Sequence, residues 1–259
     1  HARSVESVAV GAQGTRLLSG SFDATIKCWN LQESDADVYE TAQKEGKRRK
    51  KDEKETFVTK TPMVTLSSHS DAVVAVAWAA DKAGHAYSAS ADHTILMWDL
   101  ELAGEVTRIR AQRAFTSLHV HPKSGLIIAG LTDAVPRLFD ARSSEGSYVK
   151  QTFTGHKGWV SSVHWLEEDE HAFVSSSYDG TVKMWDVRSS KTPVFDLSGH
   201  EDRVLCCSVG DGVILSGGVD AKVNIFKLNR RLPPSLHNKP PRWEKDSRIS
   251  CPRRTSILQ

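Results

Sequence analysis

Three times along the chain a histidine, a serine, an aspartate and a tryptophan return in the same order. The sets are His1, Ser19, Asp23 and Trp29; His69, Ser88, Asp92 and Trp98; and His156, Ser175, Asp179 and Trp185. A histidine that can reach a serine and an aspartate is the arrangement that activates a hydroxyl for acyl transfer, with imidazole as base and carboxylate as its orienting partner. That chemistry needs one pocket. A set that returns at a repeat interval is no single active site, and the accompanying indole N–H can close a chain of hydrogen bonds inside each repeat. Buried polar groups persist where every donor finds an acceptor, so these residues are expected to fix local geometry, and no catalytic residue is assigned. A fourth pair, His200 and Asp220, has nearly the same spacing. Neither a glycine-rich phosphate loop nor metal-ligand spacing is present, so no cofactor and no metal are expected. The four cysteines, Cys28, Cys206, Cys207 and Cys251, form no CxxC pair, and the adjacent Cys206 and Cys207 read as buried thiols.

The elements that must position these sets emerge from self-comparison of the sequence. Five segments align, starting at Ser19, Ser88, Ala129, Ser175 and Ser216, with their shared aspartates at Asp23, Asp92, Asp133, Asp179 and Asp220. The first interval is 69 residues and the others are 41, 46 and 41, and a charged stretch at 33–60 accounts for the excess. Within each unit, apolar residues alternate over strand-length runs, as in Trp159–Trp165, Ala172–Ser177, Thr181–Val187 and Pro193–Leu197. Four short strands in about 40 residues are one blade of a β-propeller. The aspartate then lies in the tight turn between the second and third strands, where its carboxylate can accept backbone donors. In the third unit Ala111, Ala129 and Phe139 replace histidine, serine and tryptophan, and Pro136 removes a backbone donor. This blade is expected to be the least regular, with Phe115 and apolar packing in place of the polar set.

The chain has 259 residues, a formal charge of +2 and 39% apolar residues, enough to bury a sizeable core. It lacks both an apolar run long enough to span a membrane and an apolar leader, so a soluble, intracellular protein with no membrane partner is expected. A start at His1 is expected to mark an excerpt of a longer protein.

The motif Ser-x-Ser-x-Asp-x-Thr-Ile/Val-x-x-Trp-Asp, with Gly-His ahead of it, resembles the WD-repeat family. Several stretches narrow the resemblance: Thr61–Val73 after a basic insertion, Ser88–Ile95, Gly158–Val163, Asp196–Leu205 and Leu215–Asp220, together with the missing Gly-His of the third unit. These resemble the WD-repeat ribosome-biogenesis subunits of the PeBoW complex over about 1–228. The resemblance implies an all-β fold in which five recognisable blades, 1–228, belong to a seven-bladed ring, with 33–60 as a charged loop. It implies a non-catalytic scaffold for maturation of large-subunit rRNAs in the nucleus, nucleolus and nucleoplasm. Its implied partners are pescadillo-type and block-of-proliferation-type proteins and pre-ribosomal large-subunit particles. The family's ubiquitin-like domain, which contacts an AAA-type remodelling ATPase, is absent, so that contact is not expected. Residues 229–259, rich in proline and basic residues, do not match the family and are expected to be disordered. Five blades without the rest of the ring are expected to form an open arc with two exposed edges.

Propellers bind through loops at one end of the ring. The positions before the turn aspartates are Phe22, Ala91, Thr132, Tyr178 and Val219, with Lys157 and Trp159 leading into one blade. Phe22, Lys157, Trp159 and Tyr178 are the rim candidates for partner binding, either as exposed anchors or as residues packed beneath neighbouring loops. Lys47, Arg48, Arg49, Lys50 and Lys51 form a basic cluster that suits a nuclear-import receptor, direct contact with RNA, or plain solvation of a charged loop. A general WD-repeat adaptor, such as a ubiquitin-ligase substrate receptor or chromatin-complex subunit, is the alternative to the ribosomal role.

Overall fold

In the computed structural model, residues 1–11, 13–32, 38–41, 56–79, 84–143, 148–166, 169–189, 191–228 and 243–250 are described, and they contain strands and turns with no α-helix. The first sheet comprises β1 (Val5–Val10), β2 (Arg16–Ser21), β3 (Ile26–Asn30) and β6 (Val64–Leu66). Between its third and fourth strands, β4 (Val38–Thr41) and β5 (Thr56–Thr59) pair as a separate ribbon. The second sheet holds β7 (Val73–Trp78), β8 (His85–Ser90), β9 (Thr94–Asp99) and β10 (Gly104–Arg110). The third holds β11 (Phe115–Val120), β12 (Ile127–Leu131), β13 (Arg137–Phe139) and β14 (Val149–Thr152). The fourth is β15 (Val160–Trp165), β16 (Ala172–Ser177), β17 (Thr181–Asp186) and β18 (Phe195–Ser198). The fifth is β19 (Val204–Gly210), β20 (Val213–Gly218), β21 (Lys222–Leu228) and β22 (Trp243–Ser250).

Every sheet is an antiparallel meander, and the first strands β1, β7, β11, β15 and β19 stand side by side. They line a central cavity of about 890 Å³ whose wall includes Val8, Ala75, His119, His164 and Cys206. All five pairs of first and second strands carry a bulge at the same place, between Val5 and Ser7, Val73 and Ala75, Phe115 and Ser117, Val160 and Ser162, and Val204 and Cys206. A bulge increases local twist, and here it recurs at the same place in every blade.

Strand alternation sends one face of each sheet against its neighbour. Four apolar clusters result, one for each junction between consecutive sheets. Leu18, Ile26, Val76 and Trp98 join the first sheet to the second, and Val182, Met184, Ile214 and Phe226 join the fourth to the fifth. Each tryptophan of the polar set faces the preceding sheet. Trp98 and Trp185 are accordingly buried, whereas Trp29, in the first sheet, is only half-buried. Val8 and Val10 on the first sheet, and Leu205, Leu215, Val219 and Val223 on the fifth, are exposed large apolar residues. Among the described residues, then, the sheets form an arc whose two outer faces are uncovered, as expected for part of a ring.

The second strand carries a small residue three positions before the turn aspartate: Gly20, Ala89, Gly130, Ser176 and Gly217. A Cβ added at Gly20 would come within 2.7 Å of Val73, and one at Gly130 within 2.9 Å of Val160. Those valines begin the inner strand of the following sheet, so the small residue sets how closely consecutive blades approach.

Residues 243–250 pair along β21, with Val223 opposite Ile249 and Leu228 opposite Trp243. The open edge of a third strand presents a row of unpaired N–H and C=O groups, and here the tail supplies the fourth strand. One expectation needs correction, that of two buried thiols. Cys206 is exposed while Cys207 is buried, because adjacent residues on a strand face opposite ways; burial pushes the Cys207 thiol up to about 11. The third sheet is the least regular, as anticipated: β13 begins only after Pro136 and has three residues.

Replacing Gly130 with valine should force β11 and β15 apart and destabilise the fold by about 1–3 kcal/mol, read as a lower midpoint in urea with an unchanged slope.

Candidate functional site

In each regular blade the turn between the second and third strands folds around its aspartate. In the second sheet, Asp92 accepts from the Thr94 amide (2.9 Å), the Thr94 hydroxyl (2.6 Å) and the Ser70 amide (3.0 Å). The carboxylate also lies 2.8 Å from His69 Nδ1, so that nitrogen carries the proton. His69 Nε2 is left to accept from the Ser88 hydroxyl at 2.7 Å, and Ser88 Oγ in turn accepts from the Trp98 indole at 2.8 Å. The fourth sheet repeats the chain through Asp179, His156, Ser175 and Trp185 at 2.9, 2.7 and 2.7 Å. The first does so through Asp23, His1, Ser19 and Trp29 at 3.0, 2.7 and 2.8 Å. In the fifth, His200 joins Asp220 and Ser216, but Phe226, whose ring has no N–H, stands in the tryptophan position.

The connectivity is that of a hydrolytic triad, and the surroundings are not. Ser88 and Ser175 are 0% exposed, and each hydroxyl oxygen already receives an indole N–H. A nucleophile must be reachable by its substrate, and these hydroxyls are enclosed. The sets therefore hold strands together, with the serine on the second strand and the tryptophan diagonally across on the third.

Sequence reasoning missed two members. Ser21, Ser90 and Ser177 each donate to a carbonyl leading into the first strand, at Arg3, Asp71 and Gly158, and accept from the aspartate amide. Thr25, Thr94 and Thr181 donate to the carboxylate. Their signal was present, since both recur two positions either side of the aspartate. In the third sheet Arg137 replaces the histidine, laying its two terminal guanidinium nitrogens on Asp133. Phe115 and Phe139 meet edge-on at 5.9 Å, so the expected apolar substitution is joined by a charged one.

Burial opposes ionisation of Asp92 and Asp179, but hydrogen bonds from the neighbouring threonine, histidine and backbone amide outweigh it and hold both carboxyls below the usual range. Burial lowers His69, and Asp92 offsets only part of that effect. On the cavity wall, burial and the neighbouring His164 and His121 bring His119 down to about 4. Its ring lies 5.0 Å from that of His164, which burial also lowers.

The same hydrogen bonds place the rim. The Lys157 amide donates to Asp179, the Tyr178 amide donates to the Trp159 carbonyl at 2.9 Å, and Ser177 holds the Gly158 carbonyl. A Cβ on Gly158 would come within 2.8 Å of the Asp179 amide, so in this blade the two loops approach closely. Trp159 and Tyr178 consequently stack at 5.8 Å with 23° between their planes, and the Arg203 guanidinium sits 5.5 Å from the Tyr178 centroid. Trp159 is 53% exposed and Phe22 45% exposed, Lys157 is exposed, and Tyr178 is half-buried. Of the four rim candidates the fold brings together Lys157, Trp159 and Tyr178; Phe22 lies on the first sheet, away from them. Arg203 was missed, although it occupies the position of Trp159 in the next repeat. The basic cluster Lys47, Arg48, Arg49, Lys50 and Lys51 lies outside the described residues.

The family described as WD domain, G-beta repeat matches residues 1–30, 60–99, 147–186 and 191–227. The chain belongs to the WD-repeat family. The third repeat, with its altered polar set, falls outside the matched segments. The chain is 51% identical over 231 residues to the ribosome biogenesis protein WDR12 homolog of Caenorhabditis briggsae, covering 88% of this chain and 52% of that protein. It is 50% identical to the WDR12 homolog of Brugia malayi, over 88% of this chain and 52% of the other, and 41% identical to that of Anopheles gambiae, over 88% and 51%. The chain spans about half the length of these curated relatives.

Replacing Ser88 with alanine would leave His69 Nε2 and the Trp98 indole without a partner and should cost about 1–3 kcal/mol, checked by thermal unfolding. The imidazoles of His69, His119 and His164 stay neutral in the folded chain below the pH at which the unfolded chain protonates them. Stability should therefore fall as pH drops from 6.5 toward about 4. Replacing His119 with glutamine should flatten that dependence in calorimetric melts.

Proposed function

We propose that this chain is the docking portion of a non-catalytic scaffold in large-ribosomal-subunit biogenesis. The observation that carries this reading is the 51% identity, over 88% of the chain, to a protein named for ribosome biogenesis. The arrangement of the repeats supports the non-catalytic part, since every Ser–His–Asp set serves to join strands. Residues 1–228 form the propeller portion, and its rim presents the exposed Trp159, the stacked Tyr178 and Lys157 to a partner. Trp and Tyr dominate interface energetics when a rigid platform presents them, and the turn hydrogen bonds make this platform rigid. Pescadillo-type and block-of-proliferation-type proteins, acting in pre-ribosomal large-subunit particles, are the proposed partners. The site of action is the nucleus, nucleolus and nucleoplasm, with 47–51 as the import signal.

Affinity capture from cells with the full-length protein that carries this segment should recover both partners and large-subunit precursors, and depletion should leave large-subunit rRNA precursors unprocessed. Recovery of cullins or histone-modifying subunits, with an unchanged precursor profile, would favour the adaptor reading. Replacing Trp159 with alanine should weaken partner binding by about 2 kcal/mol, roughly thirtyfold, while leaving the melting temperature unchanged.

A further inference from the structure

Where the chain crosses from β10 to the inner strand of the third sheet, it borders a cavity of about 330 Å³ beside the Asp92 turn. Arg108 and Arg110 lie on its wall, with Ser70, His93 and Thr94, and Ala111 places a methyl group where other repeats have an imidazole. Ile109 is buried in the core, which turns the arginines on either side of it outward to the same face.

The charges on this wall are unequally spent. The Asp92 carboxylate is 5% exposed and already accepts from His69, Ser70 and Thr94. Glu105 is held by Arg108 through contacts of 2.8 and 2.6 Å. Arg110 is exposed and forms an ion pair with none of the described carboxylates. Its charge acts on Glu105 at longer range, but its guanidinium donors make no side-chain hydrogen bond among the described residues, and the exposed Ser70 hydroxyl and His93 imidazole stand on the same wall.

We propose that this cavity is a phosphate-recognition site that takes a phosphoserine or phosphothreonine side chain of a partner protein. A planar guanidinium matches two oxygens of a tetrahedral dianion, and the hydroxyl and imidazole supply further donors. A polynucleotide fits less well. Binding a phosphodiester backbone requires a track of cations, whereas this wall carries Arg110, an Arg108 already held by Glu105, and the Asp92 carboxylate. The site lies at the junction of the second and third sheets and does not depend on the Trp159 platform.

The test uses fluorescence polarisation of the whole chain with three probes: a short phosphoserine peptide, the same peptide without phosphate, and an oligouridylate. The phosphopeptide should bind saturably, and both loss of its phosphate and the Arg110→Gln substitution should weaken binding roughly tenfold or more. His93→Gly, at a position with φ of 70°, preserves the turn and should weaken binding by less. Circular dichroism melts of both variants should match the parent. Equal binding by Arg110→Gln, absence of saturation, or oligouridylate binding as tight as the phosphopeptide would each overturn the proposal.

Discussion

The structure depends on satisfying one largely enclosed carboxylate per blade. An aspartate in a two-strand turn is costly to desolvate, and an unpaired one would be excluded from a sheet interior. Here each receives a donor from the residue two positions on and, in four of the five blades, further donors from the lead-in to the first strand and from a histidine. The histidine passes the constraint to a serine on the second strand, and in three blades the serine passes it to an indole on the third. One anion thereby ties three strands and a loop into a unit. The third blade makes the point by exception: without its histidine, the carboxylate recruits Arg137.

The same constraint makes the rim useful. Because the lead-in amide and the turn amide are both pinned to the aspartate, side chains on those two loops emerge with fixed separation. In the fourth blade this produces the Trp159 and Tyr178 stack, with Arg203 of the next blade against it. A platform ordered before binding loses little entropy on contact, which is why an internal hydrogen-bond chain bears on recognition without touching a partner.

Packing between blades has a different origin. It rests on alternating apolar residues and on a small residue that admits the next inner strand, and each junction closes as a separate cluster. The first and last blades have only one neighbour each. The half-buried Trp29 and the exposed Leu215 and Val223 are what a repeat surface looks like when nothing is stacked on it.

The repeat of serine, aspartate and tryptophan, the strand periodicity and the irregular third unit were legible in the amino-acid order, because each depends on contacts within about 40 residues. The histidine sets were legible as structural for the same reason: periodicity rules out a single reaction centre. What only the tertiary structure decided are contacts between elements whose separation no local pattern encodes. Arg203 reaches Tyr178 across a blade junction, and residues 243–250 pair along the edge of β21. Local hydrogen-bond chemistry is written in residue spacing, whereas which surface lies opposite which is settled only when the sheets stack.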